Sequence, residues 1–234
     1  MTKSRDILGI GNAAIQHIKY EELHLVKLTA HWVPKFLSLV NKQDRVTICT
    51  ELLQKIQMEG PSLLDRIVTG DESWVNYYEP ESKQQSKEWR LAGSQPPLKP
   101  RRTISAQKRM VTFFWDNQGP LLIKWLPEGR TVNTQYYIEA LKELRENVKK
   151  DRRGKLSKGV LLLHDNARPH TSFATSDAIR DLNFEILPHP PYSPDLAPSD
   201  YWIFGAMKKP LKGKRFDTLQ QLATAVSKWS RETP

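Results

Sequence analysis

Gly159-Val-Leu-Leu-Leu-His-Asp-Asn-Ala-Arg-Pro-His170 is the most telling stretch for the architecture, because its first part is an unbroken apolar run and its second a polar corner. Consecutive apolar residues without polar alternation fit a strand covered on both faces. Such a strand belongs at the centre of a sheet with helices on either side. Asp165 stands just past its end, where the chain leaves the sheet.

Working outward, Arg66-Ile-Val-Thr69, Trp74 to Tyr78, Met110 to Trp115 and Leu121 to Leu126 read as short strands at close spacing, an antiparallel meander. Between Trp89 and Arg109, Pro96, Pro97 and Pro100 mix with Lys99, Arg101, Arg102, Lys108 and Arg109, which predicts a long loop. Thr131 or Asn133 can cap a helix whose apolar side is Tyr137, Leu141, Leu144 and Val148. Lys149 to Lys155 then closes that helix with positive charge, which suits a helix C-terminus without any DNA. A second helix is expected near Ala174 to Leu182, then a strand from Phe184 to Leu187. Pro188, Pro190, Pro191, Pro194 and Pro198 exclude regular structure in the next segment, since proline lacks an amide donor and fixes its own φ. Ser199 or Asp200 opens a helix through Met207, and Thr218 to Trp229 is a last amphipathic helix. Residues 1 to 60 are polar with helical rhythm, carried by Ile15, Ile18, Leu23, Leu25, Val46, Leu52, Leu53 and Ile56, and punctuated by Pro34 and Pro61. The expected class is α/β: a mixed sheet flanked by helices over residues 61–234, preceded by a helical extension over residues 1–60.

The totals narrow the function. A net charge of +10 gives the surface a positive field that attracts polyanions, although a merely basic protein fits that figure equally well. Cys49 is the single cysteine, so neither a disulfide framework nor a cysteine zinc site is available within the chain, and a reducing compartment fits. The first residues lack a run of signal-peptide length, and no stretch approaches the roughly 18 apolar residues of a membrane span. A soluble intracellular protein is the expectation.

Three aspartates carry the chemistry. Singly, each has an ordinary explanation: Asp71 follows Gly70 in what reads as a turn, Asp165 ends a strand, and Asp200 favours a helix start. If the strand Arg66 to Thr69 lies beside Val160 to Leu163, their ends bring Asp71 and Asp165 to one edge of the sheet, and the proline segment can return Asp200 to face both. Three carboxylates at one point repel unless cations neutralise them, which implies divalent metal. Magnesium or manganese suits hard oxygen ligands, and two ions about 3.5–4 Å apart support in-line phosphoryl transfer. His164 and His170 flank Asp165 and offer a rival zinc site, but no His-Glu-x-x-His pattern occurs.

Thr69-Gly-Asp-Glu-Ser-Trp74, His164-Asp-Asn-Ala-Arg-Pro-His170, and the segment His189-Pro-Pro-Tyr-Ser-Pro-Asp-Leu-Ala-Pro-Ser-Asp200 together resemble the catalytic half of a mariner-type transposase. The 34 residues between Asp165 and Asp200 (200 − 165 − 1) fit the same family. The resemblance runs from about Gly9 to Trp229. It implies a ribonuclease-H-like fold in which Asp71, Asp165 and Asp200 are catalytic and bind two Mg2+ or Mn2+ ions. It further implies cutting at terminal inverted repeats, reinsertion into target DNA, action as a homodimer and a nuclear location. Gly9 to Leu28 is similar to the end of the family's second helix-turn-helix, Trp32-Val-Pro-Lys-Phe-Leu37 to its linker, and the proline-rich loop to an insertion that clamps the partner subunit. The first helix-turn-helix and a helical tail have no counterpart in these residues, so a fragment or a decayed copy with an intact triad is expected. Two other functions stay open: a truncated or domesticated DNA-binding protein without productive catalysis, and a ribonuclease or structure-specific nuclease on the same fold.

Overall fold

The structure, a computed structural model, describes residues 9–28, 35–100 and 103–232. The chain divides into two units, Met1–Phe36 and Leu37–Pro234. In the first, helix α1 (Asn12–His17) runs on as a π-helical turn, Ile18–Glu22. It buries Ile15 and leaves Ile18, Leu23 and Leu25 exposed. Trp32 to Pro34, in the segment read as a linker, lie outside the described residues, as do Arg101 and Arg102 of the long loop.

The second unit opens with α2 (Leu39–Glu59), started by a capping box in which the Ser38 hydroxyl accepts from the Asn41 amide and the Asn41 side chain accepts from Ser38. Leu52 and Ile56 of α2 pack against Leu63, Leu161 and Leu187, while Val46 and Leu53 face solvent. The compact units meet after Phe36, and the apolar stripe of α2 is buried on the same body as the strands. Arg45 pairs with Asp195 at 2.8 and 2.7 Å and Lys55 with Glu185 at 3.1 Å, tying α2 to the far end of the sequence.

After α3 (Pro61–Arg66) come β1 (Ile67–Asn76), β2 (Lys108–Asp116), β3 (Gly119–Trp125), α4 (Thr134–Asp151), α5 (Lys155–Lys158), β4 (Val160–Leu163), α6 (Arg168–Thr171), α7 (Phe173–Asp181) and β5 (Phe184–Ile186). A π-helical turn (Ser199–Ile203) then leads into α8 (Phe204–Lys208), and α9 (Leu219–Glu232) follows. The five-stranded sheet has the order β3-β2-β1-β4-β5. β1, β2 and β3 form the expected antiparallel meander, while β4 runs parallel to both β1 and β5. β4 thus sits inside the sheet, as its unbroken apolar run requires. Among the described residues no helix is long and apolar enough to cross a membrane.

Strand alternation sorts the core. Phe114, Val68 and Leu162 face α4 and α7, packing on Tyr137, Leu141, Leu144, Val148 and Ile179. Phe113 and Val75 face the other way, onto Ile203, Phe204, Met207, Leu222 and Val226. The predicted apolar side of α4 is therefore the buried one, and Asn133 caps it by accepting from the Tyr136 amide at 2.9 Å. The basic run after α4 has a different use from the one expected: Arg152 and Lys155 converge on the fully buried carboxylate of Asp116, Lys155 at 2.7 Å.

The two short strands of the sequence pattern are one: Ile67 to Thr69 and Trp74 to Asn76 belong to a single β1, whose ladder to β2 continues through Gly70-Asp71-Glu72-Ser73 without a break. Gly70 is required by packing and not by a turn, since a Cβ there would meet the Phe114 ring at 2.1 Å.

Candidate active site

β1 presents alternate side chains to opposite faces. Asp71, Ser73 and Val75 share one face, and Val75 packs beside Ile203 and Phe204. Asp71 therefore looks toward the element that carries Asp200, the second residue of the turn Ser199–Ile203. That turn is fastened to the sheet by Trp115, whose indole N–H donates to Ser199 Oγ at 3.1 Å. The Asp200 amide donates to the Ala197 carbonyl at 3.0 Å, so the proline segment ends in a closed turn that aims the aspartate.

Asp165 comes from the corner after β4. Pro169 lies in the first turn of α6, and the short helix folds His170 back so that its Nδ1 lies 2.6 Å from Asp165 Oδ1. The Ala167 amide donates to the same Oδ1 at 3.0 Å. The other imidazole nitrogen, Nε2, is buried 3.3 Å from Glu72 Oε2, within ion-pair reach but not aligned as a hydrogen bond. Glu72 also accepts from the Thr112 hydroxyl at 3.1 Å. The Tyr137 ring lies against His170 with centroids 3.9 Å apart, and its hydroxyl meets His164 Nδ1 at 3.0 Å.

The electrostatics tie the three predicted acids together. Burial, and then the charge of Asp200, push Asp71 up to about 8, with a smaller contribution from Asp165. Asp200 is raised by burial and then by Asp165, against the pull of Lys208. Asp165 goes the other way: burial would raise it, but the hydrogen bonds from His170 and Ala167 outweigh that and hold it below the usual carboxylate range. Burial would lower His170, yet the Asp165 and Glu72 carboxylates lift it to about 9. His164, with burial and His170 both acting against its charge, falls to about 4.

The structure thus brings Asp71, Asp165 and Asp200 within electrostatic reach of one another. Among the described residues, however, no group of three or more His, Cys, Asp or Glu side chains is gathered closely enough to hold a metal ion as it stands. Neither histidine supports the rival zinc site, since His164 is engaged by Tyr137 and His170 by two carboxylates.

Sequence reasoning missed three participants. Glu72, one residue from Asp71, faces the opposite side of β1 and engages His170 there. From the sequence His170 is a rival ligand or a hydrogen-bonding residue beside a polar turn, and the five-residue return from Asp165 through Pro169 is the signal for a local contact. Lys208 is half-buried and donates to Ser73 Oγ at 2.8 Å, on the Asp71 face of β1. Burial lowers its pKa.

A family model described as transposase (partial DDE domain) matches residues 79–158, a span between Asp71 and Asp165 that includes none of the three acids. The chain is 34% identical over 224 residues to the Mariner Mos1 transposase of Drosophila mauritiana, covering 95% of this chain and 63% of that protein. It is 32% identical over 234 residues to the histone-lysine N-methyltransferase SETMAR of Homo sapiens, covering 98% of this chain and 33% of that one. It spans less than two thirds of the length of either relative. Among solved structures, the crystal structure of the catalytic domain of Mos1 mariner transposase superposes with a TM-score of 0.70 at 32% identity, covering 87% of each chain. The Mos1 mariner paired end complex with Mn gives a TM-score of 0.81 at 32% identity, over 98% of this chain and 66% of that one. The mixed sheet flanked by helices is the ribonuclease-H-like fold of those structures.

Proposed function

This chain belongs to the mariner-type transposase family, and we propose on that premise that it is the catalytic portion of a DNA transposase, cutting phosphodiester bonds and joining the freed 3′-hydroxyl to a second DNA. Asp71, Asp165 and Asp200 are the proposed catalytic and metal-holding residues. The observation that carries this reading is the convergence of three acids from three separate elements: burial, then Asp200 and more weakly Asp165, push Asp71 up to about 8, and burial, then Asp165, raises Asp200.

Carboxylates so placed favour a shared cation, and hard oxygen ligands suit Mg2+ or Mn2+. The Mos1 paired end complex named above contains Mn. Two such ions, when bound, supply an activated attacking oxygen and a stabilised leaving oxygen. The chain's own residues prepare that chemistry. Asp165 is already ionised and oriented by His170 and Ala167. Asp200 is aimed by the Ser199–Ile203 turn. Asp71 must surrender a proton before it can share a cation.

Terminal inverted repeats and target DNA are the proposed substrates, consistent with the net charge of +10. A homodimer and a nuclear location complete the proposal. The helix-turn-helix remnant and linker are proposed within residues 1–60 and the catalytic domain over residues 61–234, with Leu52 and Ile56 of α2 packed on the latter.

Purified protein with labelled DNA ends and Mg2+ tests the reading beside Asp165→Asn and Asp200→Ala. Strand cleavage and joining by the parent chain, lost in both variants with DNA binding kept, is the expected result. Cleavage that survives either substitution, or complete chelation, refutes it. A second reading, a DNA-binding protein without productive catalysis, is favoured by the lack of a ready metal-holding group among the described residues. Salt-sensitive DNA binding with no cleavage under any divalent ion would select it.

A further inference from the structure

We propose that His170 is a positioning residue for metal binding: by occupying Oδ1 of Asp165 it presents Oδ2 of that carboxylate to a divalent cation. The inference rests on the metal-dependent reading above and adds a residue to it.

The geometry is specific. Asp165 receives two donors, His170 Nδ1 at 2.6 Å and the Ala167 amide at 3.0 Å, and both take Oδ1. A carboxylate held through one oxygen can rotate little, so the direction of the other is set. The carboxylate is also half-exposed, with side-chain accessibility of 46%, whereas the imidazole that holds it is 2% exposed. The fixed partner is thus in the protein and the presented group at the surface. Carboxylates that ligate metals are commonly oriented by a hydrogen-bonded neighbour of this kind, and losing it costs about 10–100-fold in affinity or activity.

The imidazole is itself held by two further neighbours. The Tyr137 ring packs on it at 3.9 Å between centroids, and Tyr137 is in turn held by His164. Glu72 Oε2 lies 3.3 Å from Nε2, and Glu72 is anchored by Thr112 on β2. His170 therefore refers the position of Asp165, which sits in a corner, to β1, the strand that carries Asp71. Tyr137 also belongs to the core beside Phe114 and Leu141, so the test has to separate positioning from packing.

Two amide substitutions separate positioning from packing. In His170→Asn the side-chain amide stands where Nδ1 does and can donate to Asp165; in His170→Gln it stands where Nε2 does and can reach only Glu72. Mn2+ binding to the intact chain, followed by the electron paramagnetic resonance signal of free Mn2+, is the readout, with metal-free thermal unfolding as the check on folding. We expect His170→Asn to bind Mn2+ within about threefold of the parent and His170→Gln to weaken it about 10–100-fold. Equal affinities for the two variants, whether both kept or both lost, overturn the inference, because a residue that only packs responds to the loss of the ring and not to the location of the donor. Parent chain that binds Mn2+ and loses it in Asp165→Asn, together with unimpaired His170→Gln, removes the role of His170 and leaves the metal reading standing. Parent chain without Mn2+ binding removes both.

Discussion

Asp71 and Asp165 stand at the same offset beyond one register pair: Thr69 is opposite Leu163 in the parallel β1–β4 ladder, and each aspartate lies two residues further on (71 − 69 and 165 − 163). Parallel strands advance in step, so both residues emerge at the same end of the sheet. β1 continues past Asp71 because β2 pairs with it on its other side as far as Asn76. β4 ends at Leu163 and turns away, which is why one aspartate lies on a strand and the other in a corner.

Metal binding should be coupled to proton release. Asp71, raised to about 8 chiefly by burial and Asp200, carries a proton at neutral pH and must lose it to share a cation. Mn2+ affinity is expected to rise with pH and level off above about 8, with release of about one proton at pH 7. Calorimetry in buffers of different ionisation heat measures this, and a proton count near zero at pH 7 contradicts it.

Gly70→Ala should destabilise the protein without altering charge. The added methyl meets Phe114, a fully buried ring in the cluster beneath α4, at 2.1 Å. Overpacking of this kind costs about 1–3 kcal/mol. A chemical denaturation midpoint equal to that of the parent would show that the ring moves aside freely.

Asp116→Ala should be more damaging than any surface charge change. Its side chain has no solvent exposure and satisfies both Arg152 and Lys155, so removal leaves two cations facing each other beneath the sheet. Breaking a buried pair costs about 3–5 kcal/mol. The pH dependence follows from the shift: burial would raise Asp116, but the hydrogen bonds of Arg152 and Lys155 prevail and hold it below its unfolded value. Its stabilisation is therefore complete above the unfolded value of about 4 and is lost as pH falls through the lower folded one. The melting temperature of the parent should fall in that acid range, and Asp116→Ala should show a weaker fall.

Removing residues 1–60 should harm the catalytic unit, whereas removing residues 1–36 should not. The longer deletion uncovers Leu63, Leu161 and Leu187 by taking away Leu52 and Ile56. It also breaks the Arg45–Asp195 and Lys55–Glu185 pairs, which at the surface contribute about 0–1 kcal/mol each, so the apolar exposure dominates. Thermal unfolding of the two shortened chains compares them directly. Equal melting temperatures would place the structural boundary near residue 60.

Features that depend on local pattern were legible before any contact was known. The unbroken run Val160–Leu163 set the buried strand, and the spacing of Tyr137, Leu141, Leu144 and Val148 set the inner side of α4. The prolines after Leu187 set the irregular return to Asp200. The three acids were named from motif and spacing. The rest depends on partners distant in the chain and emerged with the packing of the elements. Gly70-Asp71 looks like a turn until Phe114 is found against the glycine and β2 alongside the strand. Arg152 and Lys155 look like helix-end charges until Asp116 is found beneath them. Glu72 carries no signal of its own in the sequence; strand alternation turns it to the face opposite Asp71, where it meets His170. Periodicity reports which side of an element is buried; which charge waits on that side is fixed only when the elements pack.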